Sequence, residues 1–354
     1  MDEKLPKTEL SENEQALLGI LYSVELTPKN PDTNEHIIGG NKTIKLNEDG
    51  IKSVSEKRLQ DQIDKIPSLL KSLLKMGYIN KNESLHELTV KGREIGKTVR
   101  SRWSSELYSD LLLRCANSQA YAQFCERAHG KNLLQFNVVD MEHLELLMNK
   151  LKINANDVVL DLGCGLGKIT EYIAQKTNSK ITGIDSSQKA IEWAQKNTKI
   201  NEKLSFDVVD INDLDYPSES FDVILALDVL YWIENLEPVV KKLKDILKPN
   251  GRMGLFYVLF RTKEEPIESV LVDSSKIGKL LKKNNFKYEI IDISQNAVHI
   301  WKQKISVGTE LRPIFEAEGN LDIIDSRMKS GENVINNFQN DLQKRYFIYI
   351  ENKQ

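Results

Sequence analysis

Cysteine is scarce in this 354-residue chain: Cys115, Cys125 and Cys164 form an odd set without CxxC spacing, which excludes a disulfide framework and the usual zinc knuckles. Long apolar runs are missing too. No stretch reaches the roughly 18 apolar residues needed to cross a bilayer, and the opening Met1-Asp2-Glu3-Lys4 is acidic where a leader would turn apolar. The expectation is a soluble, cytoplasmic protein with no membrane partner and no metal. Excess positive charge is also lacking, since 49 Lys and Arg face 52 Asp and Glu for a net charge of −3. A chain coated with nucleic acid over its whole surface is excluded, and any basic face must be local.

What is present suffices for ordinary cores. With 40% hydrophobic residues, and at about 150 residues per domain, two domains are expected. Charge is unevenly spread: residues 1–50 hold 5 Lys/Arg against 10 Asp/Glu, residues 51–103 hold 12 against 6, and the remainder 32 against 36. The basic stretch carries Leu59, Ile63, Ile66, Leu69, Leu70, Leu73 and Leu74 at helical spacing, with Pro67 expected to divide or kink that pattern. Gly77 then stops a helix, Tyr78-Ile79-Asn80 and His86-Glu87-Leu88 read as a hairpin turning at 81–84, and Thr89 caps a further helix. Residues 29–50, with Gly39-Gly40 and Asp49-Gly50, read as a loop or irregular hairpin. The order resembles a winged-helix domain over 1–103.

Residues 104–152 read as helical linker and lid. Beyond them, short β-rich runs (158–162, 180–184, 204–209, 223–227 and 252–259) alternate with helical stretches, the mark of a doubly wound parallel sheet over 153–354. A helix at 274–284, a strand at 287–293, a helical cap insertion at 301–340 and a final strand at 345–350 complete the reading.

The densest signal is Val158-Val159-Leu160-Asp161-Leu162-Gly163-Cys164-Gly165-Leu166-Gly167, a buried strand entering a glycine turn that opens a helix. Its spacing is GxGxG, and an acid precedes the first glycine. A pyrophosphate would be repelled by Asp161, whereas a cofactor bearing an ammonium group would be drawn to it. Cys164 between the glycines reads as small filler rather than as a nucleophile.

Asp161 to Gly167 resembles the first motif of the class I S-adenosylmethionine-dependent methyltransferases, and later elements follow in that family's order over about residues 120–300. The resemblance implies an α/β, Rossmann-like seven-stranded sheet with S-adenosylmethionine as cofactor. It places Asp185, with Ser186 beside it, on the ribose hydroxyls, Asp210 on the adenine amine, Ile211 beside the ring, and Leu227 and Asp228 in the loop under the sulfonium. Leu247-Lys248-Pro249-Asn250-Gly251 is similar to the family's turn into strand five, with Arg252 where a second glycine is frequent. The stretch Tyr121 to Gly130 with Gln135-Phe136 looks like the lid of small-molecule methyltransferases, so Tyr121 and Gln135 are expected to face the cofactor.

The loop Leu227-Asp228-Val229-Leu230-Tyr231-Trp232 lacks the Asn/Asp-Pro-Pro-aromatic motif of nucleic-acid amino methyltransferases, and no Pro-Cys or Thr-Cys pair offers a nucleophile for RNA carbon-5 methylation. Tyr121, Phe124, Phe136, Tyr231 and Trp232 are available as an aromatic wall over the cofactor's methionine moiety, and the expected acceptor is a small polar molecule, an amine, enclosed between Tyr121, Phe136, Tyr231 and the 301–340 cap. Catalytic roles are expected at His129 and Asp228 as candidate bases, ahead of His143 and His299, and at Tyr231. In the cap, Glu310, Arg312 and Glu316 are candidate acceptor contacts, weighed against a solvated helix face.

Two rival readings use the basic segment. It could dock RNA or protein for methylation, or read DNA while the methyltransferase fold serves as a sensor. Pro67 within the recognition helix, and Asp61 and Asp64 against phosphates, speak against nucleic acid; homodimer contact or closure of the site is the expected role.

Overall fold

The computed structural model describes residues 9–26, 46–199 and 202–353. The chain divides into two compact units, Met1–Tyr108 and Ser109–Gln354. No break in secondary structure marks the boundary, because one helix, Val90–Ala116, runs through it. That is why composition alone sets the boundary earlier, at 103.

The first unit holds α1 (Glu12–Leu26), α2 (Glu48–Leu59), a 3-10 helix (Gln60–Lys65), α3 (Ile66–Lys75), the hairpin β1 (Ile79–Asn82) and β2 (Leu85–Leu88), and the start of α4 (Val90–Ala116). Pro67 lies in the first turn of α3, where its missing N–H costs nothing, so it opens the helix instead of kinking it. Asp61 and Asp64 therefore belong to the 3-10 segment and not to α3. Asp49-Gly50, expected in a loop, lies in the first turn of α2; the Asn47 carboxamide accepts from the Gly50 N–H and starts the helix. Gly39-Gly40 lies outside the described residues. Gly77, at φ 74°, ends α3, and the Thr89 hydroxyl accepts from the Gly92 N–H at the head of α4. Leu17, Leu18, Ile51, Ile66, Leu70 and Leu73 fill the core. Leu46 bridges His86 on the hairpin.

In the second unit the last turns of α4 are followed by α5 (Gln119–His129) and α6 (Met141–Leu151), then β3 (Val158–Leu162), α7 (Lys168–Thr177), β4 (Lys180–Asp185), α8 (Gln188–Asn197) and β5 (Leu204–Val208). There follow β6 (Phe221–Leu227), α9 (Leu236–Ile246), β7 (Leu247–Phe260), α10 (Lys276–Lys283), β8 (Lys287–Asp292), α11 (Ser294–Ala317), α12 (Leu321–Gln339) and β9 (Gln343–Glu351). The sheet order is β5-β4-β3-β6-β7-β9-β8, parallel except for β9, which runs against both β7 and β8. Strand alternation sends Leu160 and Leu162 to one face, against α9 and α10, and Val159 to the other, against α6, α7 and α8. The helical insertion starts at Ser294, and α5, α11 and α12 share a third core of Tyr121, Phe124, Leu311, Phe315 and Ile324. No helix of the described residues is long and apolar enough to cross a membrane.

Candidate functional site

Sheet order reverses between β3 and β6, and in open α/β sheets a crevice forms outside the carboxyl ends at such a switch point. The glycine loop after β3 and the Asp228 loop after β6 flank it. Gly163, Gly165 and Gly167 all have positive φ, at 70°, 54° and 69°, where a side chain would be strained. Their surroundings differ. A Cβ at Gly163 would lie 2.7 Å from Val229 and one at Gly167 2.5 Å from the Phe206 ring, so these two glycines permit close packing. At Gly165 a Cβ would make only an ordinary contact, with Leu112 Cδ1 at 4.0 Å, so crowding does not require this glycine as it does the other two.

Two acids stand behind the loop. Asp185 Oδ2 accepts from the Gly165 N–H at 3.0 Å and Oδ1 from the Ser187 N–H at 2.9 Å, which fixes the carboxylate across the loop and the head of α8. Burial nevertheless raises its pKa. Asp161 is buried, accepts from the Thr170 hydroxyl at 2.6 Å, and has its pKa pushed up to about 7 by burial and by the neighbouring Asp185 charge. Burial beside both acids drives the Cys164 thiol well above its ordinary pKa, which makes it inert as a nucleophile. Ser186 is exposed, Leu227 ends β6 in the core, and Ile211 is buried in the 3-10 turn Ile211–Asp213. Asp210 lies two residues past the end of β5 and caps that turn, its Oδ1 accepting from the Asn212 N–H and carboxamide.

The helical stretch before the sheet does something the sequence reading did not anticipate. Residues 135–139 form a strap whose carbonyls are gathered by side chains from three helices. The Tyr121 hydroxyl donates to Gln135 O at 3.0 Å, Arg327 Nη2 to Phe136 O at 3.0 Å and Lys304 Nζ to Asn137 O at 2.7 Å. His129 Nδ1 lies 2.8 Å from Val139 O, which assigns the proton to Nδ1 because the carbonyl can only accept. The Gln135 carboxamide is engaged by Leu133 N and Lys131 O. Of the two residues expected to face the cofactor, Tyr121 thus holds the strap at Gln135, and the Gln135 side chain ties the strap to the turn before it. His129, expected to titrate near neutral pH, has its pKa driven well below that range by burial first and the Lys304 charge second. It stays neutral and is a poor base.

Asp228 is likewise not a free base. Arg345 of β9, fully buried, donates from Nε to Oδ1 at 3.1 Å and from Nη2 to Oδ2 at 2.7 Å. His143 lies alongside, with Nε2 3.4 Å from Arg345 Nη1 and Nδ1 2.7 Å from Asp140 Oδ1, while His299 is exposed. The expected aromatic enclosure resolves into two groups. Tyr121, Phe124 and Phe315 pack inside the helical core, and Tyr231, half-buried, meets Trp232, Tyr257 and Phe260 at centroid distances of 5.2, 5.7 and 6.3 Å. Glu310, Arg312 and Glu316 are exposed; Glu310 pairs with Arg127, and Arg312 with Asp325. Helical geometry turns them from the core-facing stripe of Val307, Leu311 and Phe315.

Sequence reasoning passed over Arg345, Lys304, Arg327 and Leu112. A signal existed for two of them. Arg345 opens an otherwise apolar strand, Tyr346 to Ile350, and Lys304 occupies a position of α11 in register with buried Ile300 and Val307. Leu112 of α4 packs with Leu166 of the glycine loop and Ala190 of α8, and Ser109 bonds Ser187 at 2.6 Å, so the last turns of α4 cover the crevice.

Sheet order, glycine loop and acids together have the arrangement of a class I S-adenosylmethionine-dependent methyltransferase domain. Residues 153–319 match the family model described as a methyltransferase domain. Over 132 residues the chain is 28% identical to methyltransferase GfsG of Streptomyces halstedii, covering 36% of this chain and 48% of that protein. Over 124 residues it is 33% identical to the sterol 24-C-methyltransferase of Debaryomyces hansenii, covering 34% of this chain and 33% of that protein. The chain thus spans less than half the length of these two relatives. Its fold is similar to that of Haemonchus contortus phosphoethanolamine N-methyltransferase 2, with TM-score 0.59 at 15% identity over 70% of this chain and 60% of that one.

Proposed function

We propose that the protein transfers a methyl group from S-adenosylmethionine to a small-molecule acceptor by in-line displacement. The observation that carries this reading is the Gly165–Asp185 clasp at the switch point, with buried Asp161 behind it. A glycine loop backed by two acids suits a ligand that carries positive charge. Asp185 would hold the ribose hydroxyls with the lone pairs left beside its two backbone bonds, Ile211 would lie along the adenine, and Asp161 would face the ammonium. When bound, the cofactor supplies a methyl carbon made electrophilic by sulfonium: the acceptor–carbon bond forms as the carbon–sulfur bond breaks, leaving S-adenosylhomocysteine. The chain's own task is alignment and exclusion of water, by the strap, the last turns of α4 and the Tyr231 group.

The acceptor atom is proposed to be an amine, lined by Tyr231 and Trp232, whose faces attract a developing cation by about 0.5–2 kcal/mol. With Glu310 and Glu316 on the solvent face and Asp228 paired, none of these three acids is offered for this role. Incubation with isotopically labelled S-adenosylmethionine and a metabolite extract is expected to yield a labelled product heavier by one CH2 unit. Labelling confined to phenols would remove the amine.

Asp161 gives a pH-dependent test. In the native protein its carboxyl keeps its proton up to about 7, whereas unfolded it loses it near 3.9. Between those values the native state binds more protons, so its contribution to stability falls as pH rises through that window. An ammonium bound beside it lowers the pKa, and binding then releases a proton. Calorimetry of S-adenosylhomocysteine binding in buffers of different ionisation enthalpy is expected to show release approaching one proton near pH 6, fading above pH 8. Asp161→Asn should abolish it; release unchanged in that variant would refute the assignment.

The Met1–Tyr108 unit is proposed to be a winged-helix module for homodimer contact, supported by its order of three helices, hairpin and helix. A chain begun at Ser104 keeps Leu112, and is expected to bind S-adenosylhomocysteine as a monomer by light scattering. A dimer of that shortened chain would dismiss the role.

A further inference from the structure

We propose that the methyl acceptor carries an anionic group, a carboxylate or a phosphate, which is bound between Lys304 and Arg327. The inference rests on the methyltransferase reading of the crevice and names a feature of the substrate for that same site. Lys304 of α11 and Arg327 of α12 bind consecutive carbonyls of the strap, Asn137 O and Phe136 O, so their head groups converge within the span of one peptide. Phe136, which the Arg327 guanidinium covers at 3.7 Å, packs against the cluster of Leu112, Leu166 and Ala190 beside the glycine loop. Lys304 in turn feels the charges of Asp228, just past β6, and of Arg345 on β9. The two side chains thus hold a strap that reaches the cluster beside the glycine loop, and Lys304 lies near enough to Asp228 for their charges to interact.

Neither cation is neutralised. Among the described residues no carboxylate forms an ion pair with Lys304 or Arg327, although the surface acids of the same helices pair with Arg114, Arg127 and Arg312. Lys304 is 2% exposed and, among the described residues, meets Asn137 O and the Trp301 ring, 4.7 Å away. Arg327 Nε is buried without a partner, as is His129 Nε2 on the same strap. Burial first, and then the Arg327 charge, push the Lys304 pKa well below its ordinary value. Lys304 is buried and Arg327 half-buried, so a charge on Lys304 without a counter-ion is disfavoured; an incoming anion favours its charged form and gains charge-assisted hydrogen bonds from both side chains. Carboxylate and phosphate both accept from such donors, and Arg327 retains Nε for the purpose.

The test uses the full chain saturated with S-adenosylhomocysteine and two matched pairs of probes, phenyl phosphate against phenol and benzoate against benzyl alcohol, titrated by calorimetry. At least one anion is expected to bind about tenfold or more tightly than its neutral partner. Lys304→Met and Arg327→Gln should each remove most of that preference while affinity for S-adenosylhomocysteine stays within about twofold, which also reports that each variant is folded. Inorganic phosphate should compete with the organic anion in the wild type. Equal binding of charged and neutral probes, or a preference kept in both variants, overturns the proposal; so does inorganic phosphate that binds while neither organic anion does. Failure of S-adenosylhomocysteine itself to bind would sink the methyltransferase reading, whereas its binding without any anion preference sinks this inference alone.

Discussion

Arg345→Met, with Asp228 left in place, is expected to destabilise the protein by about 3–5 kcal/mol in urea unfolding, enough to threaten folding at ordinary temperature. The guanidinium is fully buried on β9 and gives two hydrogen bonds to a carboxylate that is itself buried. Removing it leaves Asp228 charged, dry and unpaired. Asp228→Ala should cost a similar amount from the other side, with added strain because residue 228 has φ 60°, a conformation that Asn tolerates and Ala does not. The double replacement Arg345→Met with Asp228→Asn removes both charges and is expected to recover a large part of the loss. This series separates two roles. If Asp228→Asn abolished turnover yet unfolded at the same urea concentration as wild type, Asp228 would be the base that its position in the loop first suggested, and the structural role would fall.

Asp185→Ala is expected to weaken S-adenosylhomocysteine binding at least about tenfold, since each charge-assisted bond lost to a ribose hydroxyl is worth roughly 1.5–3 kcal/mol. The same change frees the Gly165 and Ser187 N–H groups, so the loop loses its clasp as well as its ligand contact. Asp185→Asn keeps one acceptor oxygen and should fall between wild type and Ala. Equal affinity of wild type and Asp185→Ala by calorimetry would remove the cofactor assignment for the crevice.

Local chemistry made the β-α-β framework readable. Val158 to Leu162, Lys180 to Asp185 and Phe221 to Leu227 are apolar runs flanked by turn residues, and the glycines after β3 have to be glycines because their φ values are positive. The C-terminal helices were readable too, though the sequence reading began the insertion at Trp301 where α11 begins at Ser294. Side-chain roles were less so. Tyr121 and Gln135 look like cofactor contacts because their stretch resembles a methyltransferase lid, and His129 looks like a base because an ordinary imidazole titrates near neutral pH, but a side chain's partners depend on which carbonyl reaches it. Here the strap at 135–139 reaches them first.

By itself, then, the sequence determined the elements of the sheet, the glycine loop and the acids at the ends of β3 and β4, because strand periodicity, positive φ and charge act over neighbouring residues. Tertiary structure alone decided that Asp228 belongs to Arg345, 117 residues away, and that Lys304 and Arg327 come to adjacent carbonyls from separate helices. It also decided that Glu310, Arg312 and Glu316 turn to solvent. The physical reason is that pairing energy depends on distance and burial, which are set only when the helices of the insertion and the strands of the sheet have packed.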